Sequence, residues 1–214
     1  MEARELPAEP SGAIVLRFDR VERAAHWMIA LLFILLILTA IPLLFGSFFG
    51  LVLPRFRVER VHLWAGIALP LPLIVSALGP WGRRLRLDIR RFNYWGRDEV
   101  HWLRSLGDAT LRAEKFNPGQ KLNALFVGAS ILVMLVTGSM LQWFGSFSVS
   151  QREGATFVHD GFALIIVTVI VGHVYMALTH PGSLRSMLTG TVTRQWAARN
   201  APAWLDELDQ PGER

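Results

Sequence analysis

The sequence predicts an all-α membrane protein in which four transmembrane helices form a bundle. Hydrophobic residues make up 52% of the 214-residue chain and charged residues only 18%. The charges are gathered into segments that separate four apolar runs, each long enough to cross the hydrocarbon core of a bilayer as a helix. Cysteine is absent, which excludes disulfides, thiolate ligands and iron–sulfur clusters held by this chain.

Hydropathy and charge divide the chain into three predicted parts. These are a polar N-terminal tail (1–16), a transmembrane domain (17–182) and a cytoplasmic C-terminal tail (183–214). The predicted spans cover about residues 24–45, 61–78, 120–144 and 157–179. Pro70 and Pro72 predict a kink in the second span, which a membrane helix tolerates. In segment 79–119, eight arginines are interleaved with tryptophans, a pattern typical of an amphipathic stretch on a membrane surface.

The distribution of basic residues predicts how the spans are oriented. Four spans put both termini on one side, and that side, which includes segment 79–119, holds 18 of the 22 Lys and Arg residues. Cytoplasmic segments are enriched in Lys and Arg, so both termini are expected in the cytoplasm. No nucleic-acid-binding motif accompanies the basic residues, so the expected partners include a lipid bilayer and no nucleic acid.

Two histidines lie in the fourth span, His159 near its start and His173 near its end. They are 14 positions apart, which corresponds to ~21 Å along a helix axis and an angular offset of about 40°. Both imidazoles therefore leave one face of the helix at opposite depths. A single buried histidine is usually a packed, hydrogen-bonded residue. Two at opposite depths indicate function, because ionisable groups are costly inside a membrane.

Passing the chain up and down through the membrane assigns a depth to two further histidines. His26 begins the first, outward-going span, and His62 begins the second, inward-going span. His26 is therefore expected near the cytoplasmic face with His173, and His62 near the outer face with His159. Reversing the orientation exchanges the faces and leaves the pairs unchanged.

Two imidazoles from different helices at one depth form the ligand set of a six-coordinate haem. Zinc requires a third or fourth ligand, and the two depths are too far apart to share one ion. The sequence therefore predicts two haems b, whose axial ligands are His26 with His173 (inner haem) and His62 with His159 (outer haem). Gly66, one turn after His62, is expected either to let a flat ring approach the backbone or to permit close helix packing.

The motif KFNPGQK, residues 115–121, opens the third span. Asn117 suits an N-cap, Pro118 the first helical position and Gln120 the third position of a capping box, so capping alone explains the motif. The same residues place amide groups and free backbone N–H donors at the depth of His173, where a quinone carbonyl would need them. The spacing leaves both interpretations open.

Several motifs together resemble a known family. The motifs are FDRVERAAHW, RVHLWAG, KFNPGQK, VHDGFA, GHVYMAL and GSLRSMLTGTVTRQWA. Over about residues 17–204 the chain resembles the cytochrome b (gamma) subunit of membrane-bound respiratory formate dehydrogenase. The resemblance implies the same four haem ligands and a quinone site lined by Asn117, Gly119 and Gln120. Two alternatives stay open: the cytochrome b of a nickel–iron hydrogenase or other quinone-linked oxidoreductase, and a haem-free anchor whose histidines only hydrogen-bond between helices.

The resemblance also implies a bacterial inner membrane as the location, and it implies partners and a direction of electron flow. In this family a molybdenum or tungsten alpha subunit oxidises formate, and an iron–sulfur beta subunit relays the electrons to the outer haem. The electrons then reach the inner haem and menaquinone or ubiquinone, which is reduced with protons from the cytoplasm. The chain is thus expected to be the quinone-reducing, electron-transfer subunit of an oxidoreductase, with formate oxidised on another subunit.

Overall fold

A computed structural model describes residues 12–49, 54–105 and 112–210, and nearly all of its regular structure is helical. In chain order the elements are β1 (Ile14–Leu16), α1 (Arg20–Phe49), α2 (Arg55–Ala68), α3 (Leu71–Leu78), α4 (Arg83–Asn93), α5 (Arg97–Arg104), α6 (Pro118–Gln142), a 3₁₀ turn (Phe144–Ser146), α7 (Val149–Thr179), α8 (Pro181–Thr189), β2 (Thr191–Thr193), α9 (Arg194–Asn200) and α10 (Pro202–Asp209). Four stretches are long and apolar enough to cross a membrane: Arg20–Gly46, Arg55–Leu78, Pro118–Gln142 and Val149–Thr179. The predicted all-α, four-span fold class is confirmed.

The second span is broken where the sequence predicts a kink. Helix α2 ends at Ala68 and α3 begins at Leu71, with Pro70 between them. Proline has no N–H to donate, so the helical hydrogen-bond ladder is interrupted there. The break is short, because the Ile74 N–H donates to the Pro70 carbonyl at 3.0 Å and restarts the helix. The two halves together form one crossing.

Helix α7 begins eight residues before the predicted span. Ser148 and Gln151 form a capping box, in which the Ser148 hydroxyl accepts from the Gln151 N–H at 3.3 Å and the Gln151 side-chain oxygen accepts from the Ser148 N–H at 2.9 Å. This cap satisfies N–H groups that a helix start otherwise leaves unpaired. Hydropathy locates the part that crosses the membrane, whereas the cap sets where the helix starts.

A short antiparallel ribbon connects the segment before the first span with the segment after the last span. Strand β1 pairs with β2, with Ile14 opposite Thr193 and Leu16 opposite Thr191. The prediction of a polar N-terminal tail to residue 16 did not anticipate this strand, and residues 1–11 of that tail lie outside the described residues. Because β1 precedes the first span, β2 follows the last and the two strands pair, residues 14–16 and 191–193 lie at the same face of the bundle.

Gly190 makes the turn into β2 against the N-terminal segment. Its φ is +91°, in the left-handed region that glycine adopts without strain. A Cβ here would lie 2.6 Å from the Phe18 carbonyl oxygen. The Gly190 carbonyl accepts from the N–H groups of Arg17 and Phe18 at 2.8 and 3.0 Å. A small core packs beside this turn, formed by Val192, Ala197, Ala201 and Trp204.

Candidate functional site

The four intramembrane histidines lie together in two pairs. The ring centroids of His26 in α1 and His173 in α7 are 6.1 Å apart, with 52° between the ring planes. Those of His62 in α2 and His159 in α7 are 6.4 Å apart, with 62° between the planes. These are the pairs that the depth argument predicts. The role of the four imidazoles as haem ligands stays a prediction.

The spacing of each pair fits one iron between two imidazoles. A metal–nitrogen bond to histidine is about 2.0–2.1 Å long, and the ring centre lies about 1.1 Å beyond the nitrogen, so two ligands on opposite sides of one iron have centroids roughly 6.3 Å apart. The observed separations are 6.1 and 6.4 Å. Within residues 12–49, 54–105 and 112–210, no group of three or more His, Asp or Glu side chains gathers around a possible metal position. Each pair therefore has the spacing and the number of imidazoles that the two axial ligands of a b haem require.

Glycines provide room beside the outer pair. A Cβ at Gly66 would meet only a Leu36 side-chain carbon, at the ordinary contact distance of 3.9 Å. Gly66 is therefore not a point of tight helix–helix packing. A Cβ at Gly138 would lie 3.3 Å from the Cε1 atom of His159, so the absent side chain lets this imidazole lie close to α6.

Sequence reasoning missed two hydroxyl groups that contact the outer pair. Thr39 Oγ1 lies 2.8 Å from His62 Nδ1, and Thr137 Oγ1 lies 2.8 Å from His159 Nδ1. Each threonine is on a different helix from its histidine, so the contact depends on how two helices are rotated about their axes. A threonine in an apolar run is too common for its type alone to have indicated this.

The motif KFNPGQK forms the helix cap that its sequence predicts. The Asn117 side-chain oxygen accepts from the Gln120 N–H at 2.9 Å, and the Gln120 side-chain oxygen accepts from the Asn117 N–H at 3.1 Å. Both amide oxygens serve the cap, so the NH₂ group of each side chain is the donor left for a ligand. Gly119 lies against the Trp102 ring, because a Cβ on it would be 3.3 Å from the Trp102 Cη2 atom.

The motif begins and ends with a buried lysine, and sequence reasoning did not single out either one. Lys115 is 4% exposed, and its ammonium group pairs with Glu22 of α1 at 3.1 Å and with Asp88 of α4. Lys121 is fully buried and pairs with Glu99 at 2.6 Å and Glu114 at 3.0 Å. They are the only lysines in the sequence. Each ties segments distant in sequence to the start of α6.

Two ionisable groups near these lysines and outside the spans, Arg17 and Glu99, have shifted pKa values. Burial lowers the pKa of Arg17 to about 10, and the nearby Asp88 carboxylate offsets part of this shift. For Glu99, burial favours the neutral acid, but the hydrogen bond from Lys121 and those from backbone N–H groups outweigh it and hold the pKa below its usual range. Both groups are therefore charged at neutral pH. The two lysines, their carboxylate partners and Arg17 form a layer of charged groups at the start of α6, which we call the charged layer.

Known proteins give a consistent comparison. The chain is 29% identical over 201 residues to the formate dehydrogenase cytochrome b556 subunit of Haemophilus influenzae, covering 90% of this chain and 83% of that protein. It is 27% identical to the cytochrome b556(fdo) subunit of Escherichia coli K12 formate dehydrogenase, covering 94% and 96%. It is 25% identical to the nitrate-inducible b556(Fdn) subunit of that organism, covering 92% and 93%. Residues 17–190 match the profile of the prokaryotic cytochrome b561 family. The chain is a multi-pass membrane protein that belongs to this family.

Proposed function

We propose that this chain is the di-haem cytochrome b subunit of a membrane-bound formate dehydrogenase and delivers electrons to a quinone. The observation that carries the proposal is the presence of two histidine pairs, each with the spacing of an axial ligand set, at opposite ends of one long helix. Relatives named as formate dehydrogenase subunits align over nine-tenths or more of the chain, which favours formate over hydrogen as the ultimate donor.

In this proposal helix α7 supplies one ligand to each haem, α2 supplies the second ligand of the outer haem and α1 that of the inner haem. His159 and His62 would hold the outer haem, and His173 and His26 the inner one. A bound haem supplies reversible one-electron transfer. The protein fixes the ligands, and the 14-residue separation on α7 sets the two sites ~21 Å apart along its axis.

A haem-free anchor explains the histidines less well. Hydrogen bonds to Thr39 and Thr137 do link helices, as that alternative requires. In neither described pair, however, do the two imidazoles hydrogen-bond to each other. An anchor gives no reason for both pairs to keep the centroid separation of a shared metal ion, whereas haem ligation requires it in each.

The quinone site in this proposal lies at the start of α6, at the cytoplasmic face. Asn117, Gly119 and Gln120 line it, and the amide NH₂ groups left over from the cap donate to a quinone carbonyl. Reduction of a quinone consumes two electrons and two protons. The distribution of basic residues favours a cytoplasmic location for both termini and for segment 79–119. The protons for quinone reduction would therefore come from the cytoplasm.

Purification of the chain from its native membrane in mild detergent tests the proposal. We expect a dithionite-reduced minus oxidised spectrum with low-spin b bands. We also expect an iron–sulfur subunit and a molybdenum or tungsten subunit to co-purify, and formate to reduce both haems. Reduction by hydrogen but not by formate would support the hydrogenase alternative. A preparation without b bands would support the haem-free anchor.

Replacing Asn117 tests the quinone site separately from the helix cap. Asn117→Asp keeps a side-chain oxygen for the Gln120 N–H but removes the NH₂ donor. We expect it to slow haem reoxidation by added quinone about tenfold, the effect of one lost hydrogen bond, while both haems remain. Asn117→Ala should slow the reaction as well, and it should also destabilise the helix start by about 1 kcal/mol.

Stopped-flow absorbance of the pre-reduced complex measures this rate. Asn117→Ser is the matched control for the cap, because serine also caps helices but carries no amide donor. Normal reoxidation in the Asp and Ser variants, with a slow Ala variant, would assign the motif to capping alone.

A further inference from the structure

We propose that Thr39 and Thr137 are positioning residues that fix the tautomer of the outer histidine pair and thereby tune the outer haem. The inference rests on the proposed function. It deepens that function, because it separates the properties of the two haem sites. The basis is the pair of hydroxyl contacts to His62 and His159 and the bonds that the same hydroxyls make to their own helices.

The hydrogen bonds of Thr39 determine the direction of its contact with His62. Thr39 Oγ1 lies 2.8 Å from the Leu35 carbonyl oxygen, and a carbonyl oxygen can only accept. A hydroxyl has one proton, and this contact uses it. Toward His62, 2.8 Å away, the hydroxyl oxygen can then only accept, so His62 Nδ1 carries the hydrogen.

The same arrangement recurs on the other side of the outer pair. Thr137 Oγ1 lies 2.8 Å from the Val133 carbonyl oxygen and 2.8 Å from His159 Nδ1. The carbonyl again takes the hydroxyl proton, and His159 Nδ1 again donates. A neutral imidazole carries one N–H, so both outer imidazoles keep an unprotonated Nε2, which is the form that binds a metal. The two threonines therefore hold both imidazoles in the metal-binding tautomer before haem binds.

The inner pair has a different environment. Among the described residues, the aromatic neighbours of His26 are Trp27, with centroids 5.4 Å apart, and His173. No described hydroxyl contacts either inner imidazole as Thr39 and Thr137 contact the outer ones. The two sites share a ligand type and differ in what surrounds it, so their reduction potentials are expected to differ in their response to these threonines.

The effect of the hydroxyls on the outer haem has a definite sign. A hydrogen bond from Nδ1–H to an acceptor makes the imidazole a stronger electron donor. Stronger donation stabilises the oxidised iron, which carries the greater positive charge, relative to the reduced iron. Removing the acceptor should therefore raise the midpoint potential of the outer haem. It should also loosen the ring and weaken haem retention, since partners of metal-bound histidines are worth about 10- to 100-fold in affinity.

The test uses valine, which matches threonine in shape but lacks the hydroxyl. Thr39→Val, Thr137→Val and the double variant are made in the full complex, with Thr39→Ser to restore the hydroxyl. Thr168→Val is the matched control, because Thr168 lies on α7 and bonds its own Leu164 carbonyl at 2.9 Å without touching a paired histidine. Potentiometric titration and the EPR g-values of the oxidised haems are the readouts, with haem content measured alongside. The component of the redox titration that is missing in the His62→Ala variant is assigned to the outer haem.

We expect the outer potential to rise in each valine variant and further in the double variant, with its EPR g-values shifted. Thr39→Ser should return both readouts to the wild-type values, and the inner component should not change. Selective loss of the outer haem in a valine variant, restored by serine, would equally support the inference. Unchanged outer potential and g-values in both valine variants, or equal shifts in Thr168→Val, would overturn it while leaving the two-haem proposal intact. A wild-type chain without haem would overturn both.

Discussion

Replacing His62 with alanine is expected to remove one of the two proposed haems and leave the other in place. His62 contributes one half of the outer pair, whose ring centroids are 6.4 Å apart. Without it the iron keeps a single protein ligand, His159, and a six-coordinate low-spin haem can no longer form. The inner pair lies near the opposite end of α7, so its ligand geometry is unaffected.

The full set of histidine variants gives a pattern that only correct pairing can produce. His62→Ala and His159→Ala should lose the same haem, the double variant should lose no more, and His26→Ala and His173→Ala should lose the other haem. Haem content by pyridine haemochrome and the number of components in a redox titration measure the outcome. His180→Ala is the control, because His180 ends α7 with its Nδ1 2.8 Å from the Met176 carbonyl oxygen and should keep both haems.

Loss of neither haem in His62→Ala would refute the assignment of His62. Loss of different haems in His62→Ala and His159→Ala would refute the depth pairing. Because a poorly folded variant could lose both haems, monodispersity in detergent is compared with the wild type before the haems are counted.

The second large effect is expected from Lys115→Met, which should destabilise the charged layer at the start of α6 by about 3–5 kcal/mol. Lys115 is the cation shared by Glu22 and Asp88, and all three side chains are about 4% exposed. Without the ammonium group, the buried Glu22 carboxylate loses its cation partner, while Asp88 still pairs with Arg91 at 3.1 Å. The cost comes mainly from the unpaired Glu22 charge beside a second carboxylate, and only to a small extent from the lost ion pairs.

Arg112→Met is the matched control for the buried lysine. Arg112 also joins this layer through an ion pair, to Asp206 at 2.7 Å, but its side chain is 67% exposed, and such pairs contribute about 0–1 kcal/mol. Thermal unfolding followed by circular dichroism in detergent compares the two. Adding Glu22→Gln to Lys115→Met should recover part of the loss, because it removes the unpaired carboxylate charge. Equal midpoints for the Lys115 and Arg112 variants would contradict the prediction.

The bilayer made the spans and the histidine depths predictable from sequence. A helix that crosses a membrane must be apolar over a fixed length, so hydropathy places each span and the place of a histidine within it gives the depth. His26 could be assigned to His173 with no knowledge of how the helices pack. The Asn117 cap was also predictable from sequence, because its hydrogen bonds join residues three positions apart.

The contacts that sequence did not reveal depend on segments far apart in the chain. The bond between Thr39 and His62 requires a particular rotation of α1 against α2, which no local pattern encodes. Lys115 forms ion pairs with carboxylates on α1 and α4, and hydropathy alone cannot distinguish a paired lysine from a solvated one. Strand β1 is three residues long, and its partner, β2, begins at Thr191 near the other end of the sequence. Its apolar residues gave no sign of that distant partner.

The ribbon of β1 and β2 imposes an order on how the protein is made. Strand β1 is among the first described parts to leave the ribosome, yet it can pair only after Thr191–Thr193 has been synthesised. By then all four spans have been translated, and chains generally form structure from the N-terminus onward during synthesis. The ribbon can therefore form only after the four described spans have been synthesised, so its pairing follows their synthesis.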